Sequence, residues 1–279
     1  MTIHTALVQG TELLDDDGIP VPRLTAEVLL GFAMSRDRAY FHAHPEQELR
    51  EVEWLHFGRY LHERLKGKPT QYITHRQEFY GREFRVTPDV LIPRPETEHV
   101  VETALEIGRG ARRMLDVGAG SGALAVTLQL ETRADVWATD ISAAAATVAA
   151  RNAANLGARV GIMVCDLMEA VATHSVDLVV SNPPYVPEGA KAGLQREVRD
   201  WEPHVALFAG ESGLDLYRRI VADAPRVLRP GGWLVLELGF GCHDPVRELL
   251  AGWRELRIVP DLAGIPRVAA CLLYTSRCV

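Results

Sequence analysis

Arg113-Met114-Leu115-Asp116-Val117-Gly118-Ala119-Gly120-Ser121-Gly122-Ala123 is the stretch on which the fold turns. Five residues of strand-forming character run into a glycine-rich turn, and the turn opens into a helical stretch. Glycine tolerates positive φ and lets the backbone approach a bound group closely, so this reads as a ligand-cradling strand–turn–helix. Outward from it, strands and helices alternate. Strands are expected at 113–117, 135–139, 159–164, 176–181 and 232–237, with weaker ones at 254–259 and 267–273. Helices are expected near 122–131, 142–155, 214–228 and 243–252, the second capped by Ser142 and stopped by Gly157. Alternation with apolar strands implies an α/β fold whose mostly parallel sheet is covered on both faces. The last two strands, separated by little beyond Pro260-Asp261-Leu262-Ala263-Gly264, read as an antiparallel pair at one side.

The chain before the loop differs in period. Ala26, Val28, Leu29, Leu30, Phe32 and Ala33 form one amphipathic helical stretch, and Leu55, Phe57, Leu61 and Leu65 another. Residues 1–75 are therefore expected to form a small helical bundle. Glu78-Phe79-Tyr80-Gly81-Arg82-Glu83-Phe84-Arg85-Val86 reads as two short strands around Gly81, placing a β-hairpin linker at 76–94. The second domain then runs over 95–279, entered through Pro95, Glu96 and Glu98, residues suited to a helix start.

Composition narrows the classes. Thirty Lys and Arg against 37 Asp and Glu give a net charge of -7. The first 80 residues, with 9 basic and 12 acidic side chains, carry no basic stripe. Direct nucleic-acid binding is not expected of such a surface. Cys165, Cys242, Cys271 and Cys278 form no CxxC pair, so neither a disulfide framework nor a zinc site is expected. The ten histidines show no metal spacing. The N-terminal residues lack a signal pattern, and no apolar run is long enough to span a membrane. A cytoplasmic monomer is the expectation.

Three further features carry chemistry. Asp140 follows Gly118 by 22 residues and ends the second strand, where a carboxylate can accept both hydroxyls of a ribose. Gly118, Gly120 and Ala123 satisfy the dinucleotide pattern G-x-G-x-x-A, and the same residues fit the D-x-G-x-G-x-G loop of S-adenosylmethionine enzymes. In both readings Gly118, Ala119, Gly120, Ser121 and Gly122 line a nucleoside-containing cofactor. Asp166 ends the third strand, placed to accept from an adenine amino group with Leu167 against the ring, or else to cap a helix. The motif that decides the chemistry is Ser181-Asn182-Pro183-Pro184-Tyr185. Two prolines remove two N–H donors, so the turn presents acceptors. Asn182 adds a side-chain carbonyl, and Tyr185 a flat face. Such a turn suits a planar NH₂ group, whether amide or exocyclic amine. Glu237, late in its strand, reads equally as a buried hydrogen-bonded carboxylate or as a neighbour of the site. Glu197, Arg199, Asp200 and Glu202 read as a solvated loop or as a partner-contacting lid.

With both motifs in hand, the chain resembles class I S-adenosylmethionine methyltransferases acting on planar amino groups. More narrowly, it resembles the protein-(glutamine-N5) methyltransferases that modify peptide chain release factors, the PrmC/HemK family. The resemblance extends through Gly67-Lys68-Pro69, Gln71-Tyr72-Ile73, Glu78-Phe79-Tyr80-Gly81 and Val90-Leu91-Ile92-Pro93-Arg94-Pro95-Glu96-Thr97-Glu98. Past the turn it continues in Trp201-Glu202-Pro203, Gly213-Leu214-Asp215, Leu228-Arg229-Pro230-Gly231-Gly232 and Leu236-Glu237-Leu238-Gly239. It implies a seven-stranded Rossmann-like sheet with an antiparallel edge and an N-terminal substrate-recognition domain. It implies S-adenosyl-L-methionine as methyl donor and the glutamine of a release factor's Gly-Gly-Gln loop as acceptor. Asn182, Pro183 and Tyr185 would be the catalytic residues, with Pro184 also binding substrate. The alternatives are a ribosomal-protein glutamine, which the Arg-Pro-Glu-Thr-Glu run disfavours, and adenine N6 in nucleic acid. His75 departs from the family pattern, which has glycine there. The end from Cys271 onward departs too beyond its strand, so no function is rested on Cys271 or Cys278.

Overall fold

The computed structural model describes residues Met1–Tyr274; Cys278 lies outside them. The described residues divide into two compact units. One comprises Met1–Arg76 with Gln195–Trp201, the other Gln77–Leu194 with Glu202 onward. The grouping of 195–201 with the helical unit does not follow from sequence patterning.

In the helical unit, α1 (Ile3–Asp16), α2 (Pro22–Met34), α3 (Arg38–Ala43), α4 (Glu51–Leu65) and α5 (Thr70–Thr74) enclose a core that includes Ile3, Leu7, Leu29, Leu30, Phe57 and Leu61. Thr2 caps α1 and Asp37 caps α3 through their side-chain oxygens. Two positions of the expected apolar faces point outward: Val28 and Leu55 are exposed. Phe57 and Leu61 already fill the core side of α4, and Leu55 lies off their i, i+4 row. Glu27 is buried and takes Arg23 and Arg38 at 2.7 Å each. These two guanidiniums hold its carboxyl below the ordinary value against the opposing effect of burial. The polar run after the NPPY turn contains a helix, α6 (Arg196–Trp201), rather than a solvated loop. Glu197 accepts from the buried Arg64 at 2.6 Å, and Arg196 donates to the carbonyls of Leu65 and Lys66 at the end of α4.

The larger unit opens at Gln77 within the hairpin β1 (Arg76–Phe79) and β2 (Arg82–Arg85), which turns at Tyr80 and Gly81, both at positive φ. Its seven-stranded sheet consists of β3 (Arg113–Val117), β4 (Asp135–Asp140), β5 (Val160–Val164), β6 (Val176–Ser181), β7 (Leu228–Glu237), β8 (Arg254–Pro260) and β9 (Pro266–Leu272). The spatial order is β5-β4-β3-β6-β7-β9-β8. The first five are parallel, and β9 runs antiparallel to both β7 and β8. The expected antiparallel pair is present, with the final strand inside and β8 at the edge.

Side chains alternate between two cores. Met114, Leu178, Val180 and Val235 face one cluster, which also takes Phe79 and Phe84 of the hairpin. That cluster holds the helices α7 (Glu98–Ile107), α8 (Ala123–Glu131) and α9 (Ala143–Leu156). Leu115, Val117, Val179, Leu234 and Leu236 face the other, with α10 (Asp215–Val227) and α11 (His243–Leu249). β7 begins four residues before the expected 232–237 strand. Val176 pairs with Leu228 and Leu178 with Trp233, so Arg229–Gly232 bulge between two paired positions. Arg229 reaches Asp177 at 2.8 Å across that bulge, and Asp177 also accepts from the backbone N–H groups of Arg112 and Arg113. Cys271 sits buried in β9 opposite Leu234, and burial pushes its thiol up to about 12. Among the described residues, no helix is long and apolar enough to cross a membrane.

His75, the departure from the family pattern, closes α5 with φ 60° and ψ 25°. A left-handed helix cap costs an L-residue roughly 1–2 kcal/mol, part of which glycine returns through its freer unfolded chain. His75→Gly is therefore expected to stabilise the chain by about 0.5–1 kcal/mol, read as a higher urea midpoint at unchanged slope.

Candidate active site

Strand register builds the site. Val117 pairs with Thr139, Asp116 with Val180, and Ser181 with Leu236. One residue further, at the carboxyl edge, Gly118, Asp140, Asn182 and Glu237 fall in one row across four neighbouring strands. Open α/β sheets bind ligands at this edge. Ser181 fixes the tip of β6 by donating its buried hydroxyl to the Val117 carbonyl at 2.6 Å.

A cavity of about 300 Å³ opens there, lined by residues including Gly118, Ala119, Gly120, Ser121, Asp140 and Asp166. Leu167, Asn182 and Pro184 also line it. Gly118 and Gly120 have φ of 83° and 52°, and a Cβ built on either would project into open space. These two positions leave the backbone bare toward a ligand. Gly122 serves differently: its Cβ would meet Ala149 at 3.1 Å, so it allows α8 and α9 to approach. Gly122, Pro183 and Tyr185 are not among the residues lining the cavity.

Asp140 is aimed by the backbone. Its Oδ2 accepts from Gly120 N–H and its Oδ1 from Ser142 N–H, both at 2.8 Å. A carboxylate has about four lone-pair positions, so each oxygen retains capacity for one hydroxyl. Asp166 accepts from Arg219 of α10 through Oδ2 at 2.7 Å, leaving Oδ1 for a ligand. Arg219 also lines the cavity. Leu167 holds φ 46°, which turns the chain out of β5 and sets its side chain on the wall. With apolar Ile141, Leu124 and Phe208 also in the lining, these groups fit a nucleoside: carboxylates for hydroxyls and an amino group, apolar faces for a ring.

At the NPPY turn, Asn182 donates through Nδ2 to Thr97 Oγ1 at 3.1 Å, and Thr97 donates to Glu237 Oε2 at 2.6 Å. No described residue donates to Asn182 Oδ1 or to the Pro183 carbonyl. The turn thus offers two acceptors. Tyr185 lies over Gly239, where a Cβ would come within 2.3 Å of its ring. Burial first, then the Glu237 charge, pushes its phenol up to about 12, so it stays protonated at neutral pH. Glu237 proves to be both things its sequence position suggested: 3% exposed, hydrogen-bonded, and one hydroxyl away from Asn182. Burial is the main reason its carboxyl rises to about 7.

Thr97, Arg219 and Asn152 are the site residues that sequence reasoning missed. Thr97 was visible as the fourth position of Arg-Pro-Glu-Thr-Glu, but nothing local says what its hydroxyl meets. Asn152, 1% exposed, sits in an alanine-rich helix. Its Nδ2 donates to the carbonyls of Arg85 and Ser121 at 2.9 and 2.8 Å, and its Oδ1 accepts from Arg85 N–H at 2.8 Å. One side chain thus ties the glycine loop to the hairpin. Asn152→Ala strands three backbone groups and should cost about 3 kcal/mol, measured by urea unfolding.

Comparison with known proteins agrees with this geometry. Residues 5–74 match the PrmC N-terminal domain family, and residues 98–197 match the methyltransferase small domain family. The release factor glutamine methyltransferase of Koribacter versatilis is 46% identical over 99% of this chain and 100% of its own length. The enzyme of that name from Bacillus subtilis is 39% identical over 99% of both chains. Among solved structures, a methyltransferase from Pyrococcus furiosus shares the fold at a TM-score of 0.55 and 18% identity, over 71% of this chain and 91% of that one. With a seven-stranded sheet ending in an antiparallel edge and near-full-length identity to such relatives, this chain belongs to the release factor glutamine methyltransferase family.

Proposed function

We propose that this chain transfers a methyl group from S-adenosyl-L-methionine to the side-chain nitrogen of the glutamine in a release factor's Gly-Gly-Gln loop. The observation that carries this reading is the pair of acceptors at the NPPY turn, Asn182 Oδ1 and the Pro183 carbonyl, neither taken by a described donor. A primary amide has two N–H donors on one planar nitrogen, and two acceptors at adjacent positions match it. The -7 charge supports a protein substrate over a nucleic acid.

The donor supplies an electrophilic methyl on a positively charged sulfur. Asp140 would hold the ribose hydroxyls with its remaining lone pairs. Asp166 Oδ1 would accept from the adenine amino group, and Leu167 would pack on the ring. The loop Gly118–Gly120 would lie against the rest of the donor through bare backbone. Asn182 and Pro183 bind and orient the acceptor amide. An amide nitrogen is a weak nucleophile because its lone pair is delocalised into the carbonyl. Two acceptors on its hydrogens set the direction of that lone pair and stabilise the positive charge that grows on nitrogen. They are polar groups fixed beforehand by the strand end and the prolines, so little reorganisation is needed. Tyr185, protonated at neutral pH, acts as a flat wall behind the turn and not as a base. None is required, because an N-methylated amide cation releases its proton readily to water.

Transfer of tritiated methyl to a purified release factor tests the reading, beside its Gln→Ala variant and RNA and DNA controls. Label on the wild-type factor alone is expected; label on nucleic acid would overturn the substrate class. Asn182→Ala should lower kcat by about 10²–10³-fold while the donor's Kd changes less than about threefold. Asp140→Ala should act the other way round. It should weaken donor binding by about 10–100-fold, as loss of hydrogen bonds to a charged group implies, in a calorimetric titration.

A further inference from the structure

We propose that Glu237 and Thr97 are positioning residues that set which way the Asn182 amide faces. The relay rests on the reading of Asn182 given above and adds what decides its orientation.

An asparagine amide has an acceptor end and a donor end of almost the same shape, and only its hydrogen-bond partners choose between them. Here the choice is made two residues away. Glu237 Oε2, as a carboxylate, can only accept. Thr97, 4% exposed, must spend its one hydroxyl hydrogen on it, at 2.6 Å. Thr97 Oγ1 then has only lone pairs to offer, so it takes the donor end of Asn182 at 3.1 Å. Oδ1 is thereby left as the free acceptor that an NH₂ substrate needs. A protonated Glu237 reverses the logic. It can itself donate to Thr97, which frees the threonine hydrogen for Asn182 Oδ1 and turns the amide's donor end outward.

The surroundings of Glu237 are arranged so that no cation ties it up. Arg94 and Glu96 precede α7, and Arg267 lies on β9. Arg94 pairs with Glu202 at 2.6 Å, and Arg267 with Asp261 at 2.8 Å and Glu96 at 3.8 Å. Tyr185 and Tyr217 face it from the NPPY turn and α10; Tyr217 donates to the Glu237 backbone carbonyl at 2.7 Å. A buried carboxylate without an ion pair is costly, and structural packing alone gives no reason for one at this strand end. Its carboxyl titrates at about 7. The productive arrangement is therefore complete above that pH and is lost as pH falls through it.

The test compares Thr97→Val, Thr97→Ser and Glu237→Gln with the wild type. In methyl transfer, Thr97→Val should lose about 30–100-fold in kcat, with the donor's Kd within about threefold. Thr97→Ser should stay within about threefold of wild type, since the hydroxyl is what matters. Wild-type kcat should fall along one ionisation near pH 7, and Glu237→Gln should be at least tenfold slower, with that ionisation gone. Activity of the wild-type chain judges the substrate reading; the ratios among variants judge the relay. A readout that needs no substrate separates them further. The chain has three asparagines, Asn152, Asn155 and Asn182, so asparagine-labelled protein gives three side-chain amide signals. The Asn182 signal should shift with one ionisation near pH 7, and should not in Glu237→Gln. Thr97→Val with wild-type turnover overturns the relay. So does Thr97→Ser as slow as Thr97→Val, or an Asn182 signal unmoved between pH 6 and pH 8, a result that stands even if a variant fails to fold.

Discussion

The hydrogen bond from Thr97 to a buried carboxylate at the end of β7 is the contact around which the acceptor side of this site is organised. Together with the bond from Asn182 to Thr97 it joins three segments far apart in sequence: the start of α7, the NPPY turn after β6, and the carboxyl end of β7. Each is placed by something larger. β6 and β7 are locked in parallel register, Ser181 opposite Leu236, and the hydroxyl of Ser181 clamps the strand tip to β3. The start of α7 is held because Glu98 accepts from Tyr80 N–H at 2.7 Å, while Arg94 and Glu96 reach Glu202 and Arg267. Every polar position of the Arg-Pro-Glu-Thr-Glu run thus has a separate partner.

The cofactor side follows a different rule. There the backbone does most of the work: bare glycines, a carboxylate steered by two N–H groups, and Asn152 fastening the loop from below. Side chains with net charge are few, which suits a ligand recognised by hydroxyls, an amino group and a flat ring. The division is chemically sensible. In the proposed reading the donor is bound by shape and by acceptors of fixed position, while the acceptor amide meets a turn whose polarity the surrounding hydrogen bonds determine.

Much of this was legible in the chain. Alternating strands and helices, the glycine loop and the NPPY turn are local patterns, each imposed by backbone chemistry within a few residues. They pointed to the α/β class, to the carboxyl edge of the sheet, and to Asn182 as the acceptor proposed above. The helical unit was legible as helices, yet the exposure of Leu55 and the helix formed by Arg196–Trp201 were not. Those depend on which neighbours fill a core and which partner a charged run finds. The early start of β7 was hidden for the same reason, since only the pairing of Leu228 with Val176 makes its first residues a strand.

The sequence by itself determined which groups the protein possesses: acceptor-only prolines, glycines bare toward a ligand, carboxylates at strand ends. Tertiary structure decided what those groups mean. Glu237 is an ordinary strand residue until burial strips away its water, and Thr97 an ordinary first-turn residue until it meets that carboxylate. Asn182 has two ends that the sequence cannot tell apart. The distinction between them comes from partners 85 and 140 residues apart along the chain, Asn182 with Thr97 and Thr97 with Glu237, and only folding brings those together.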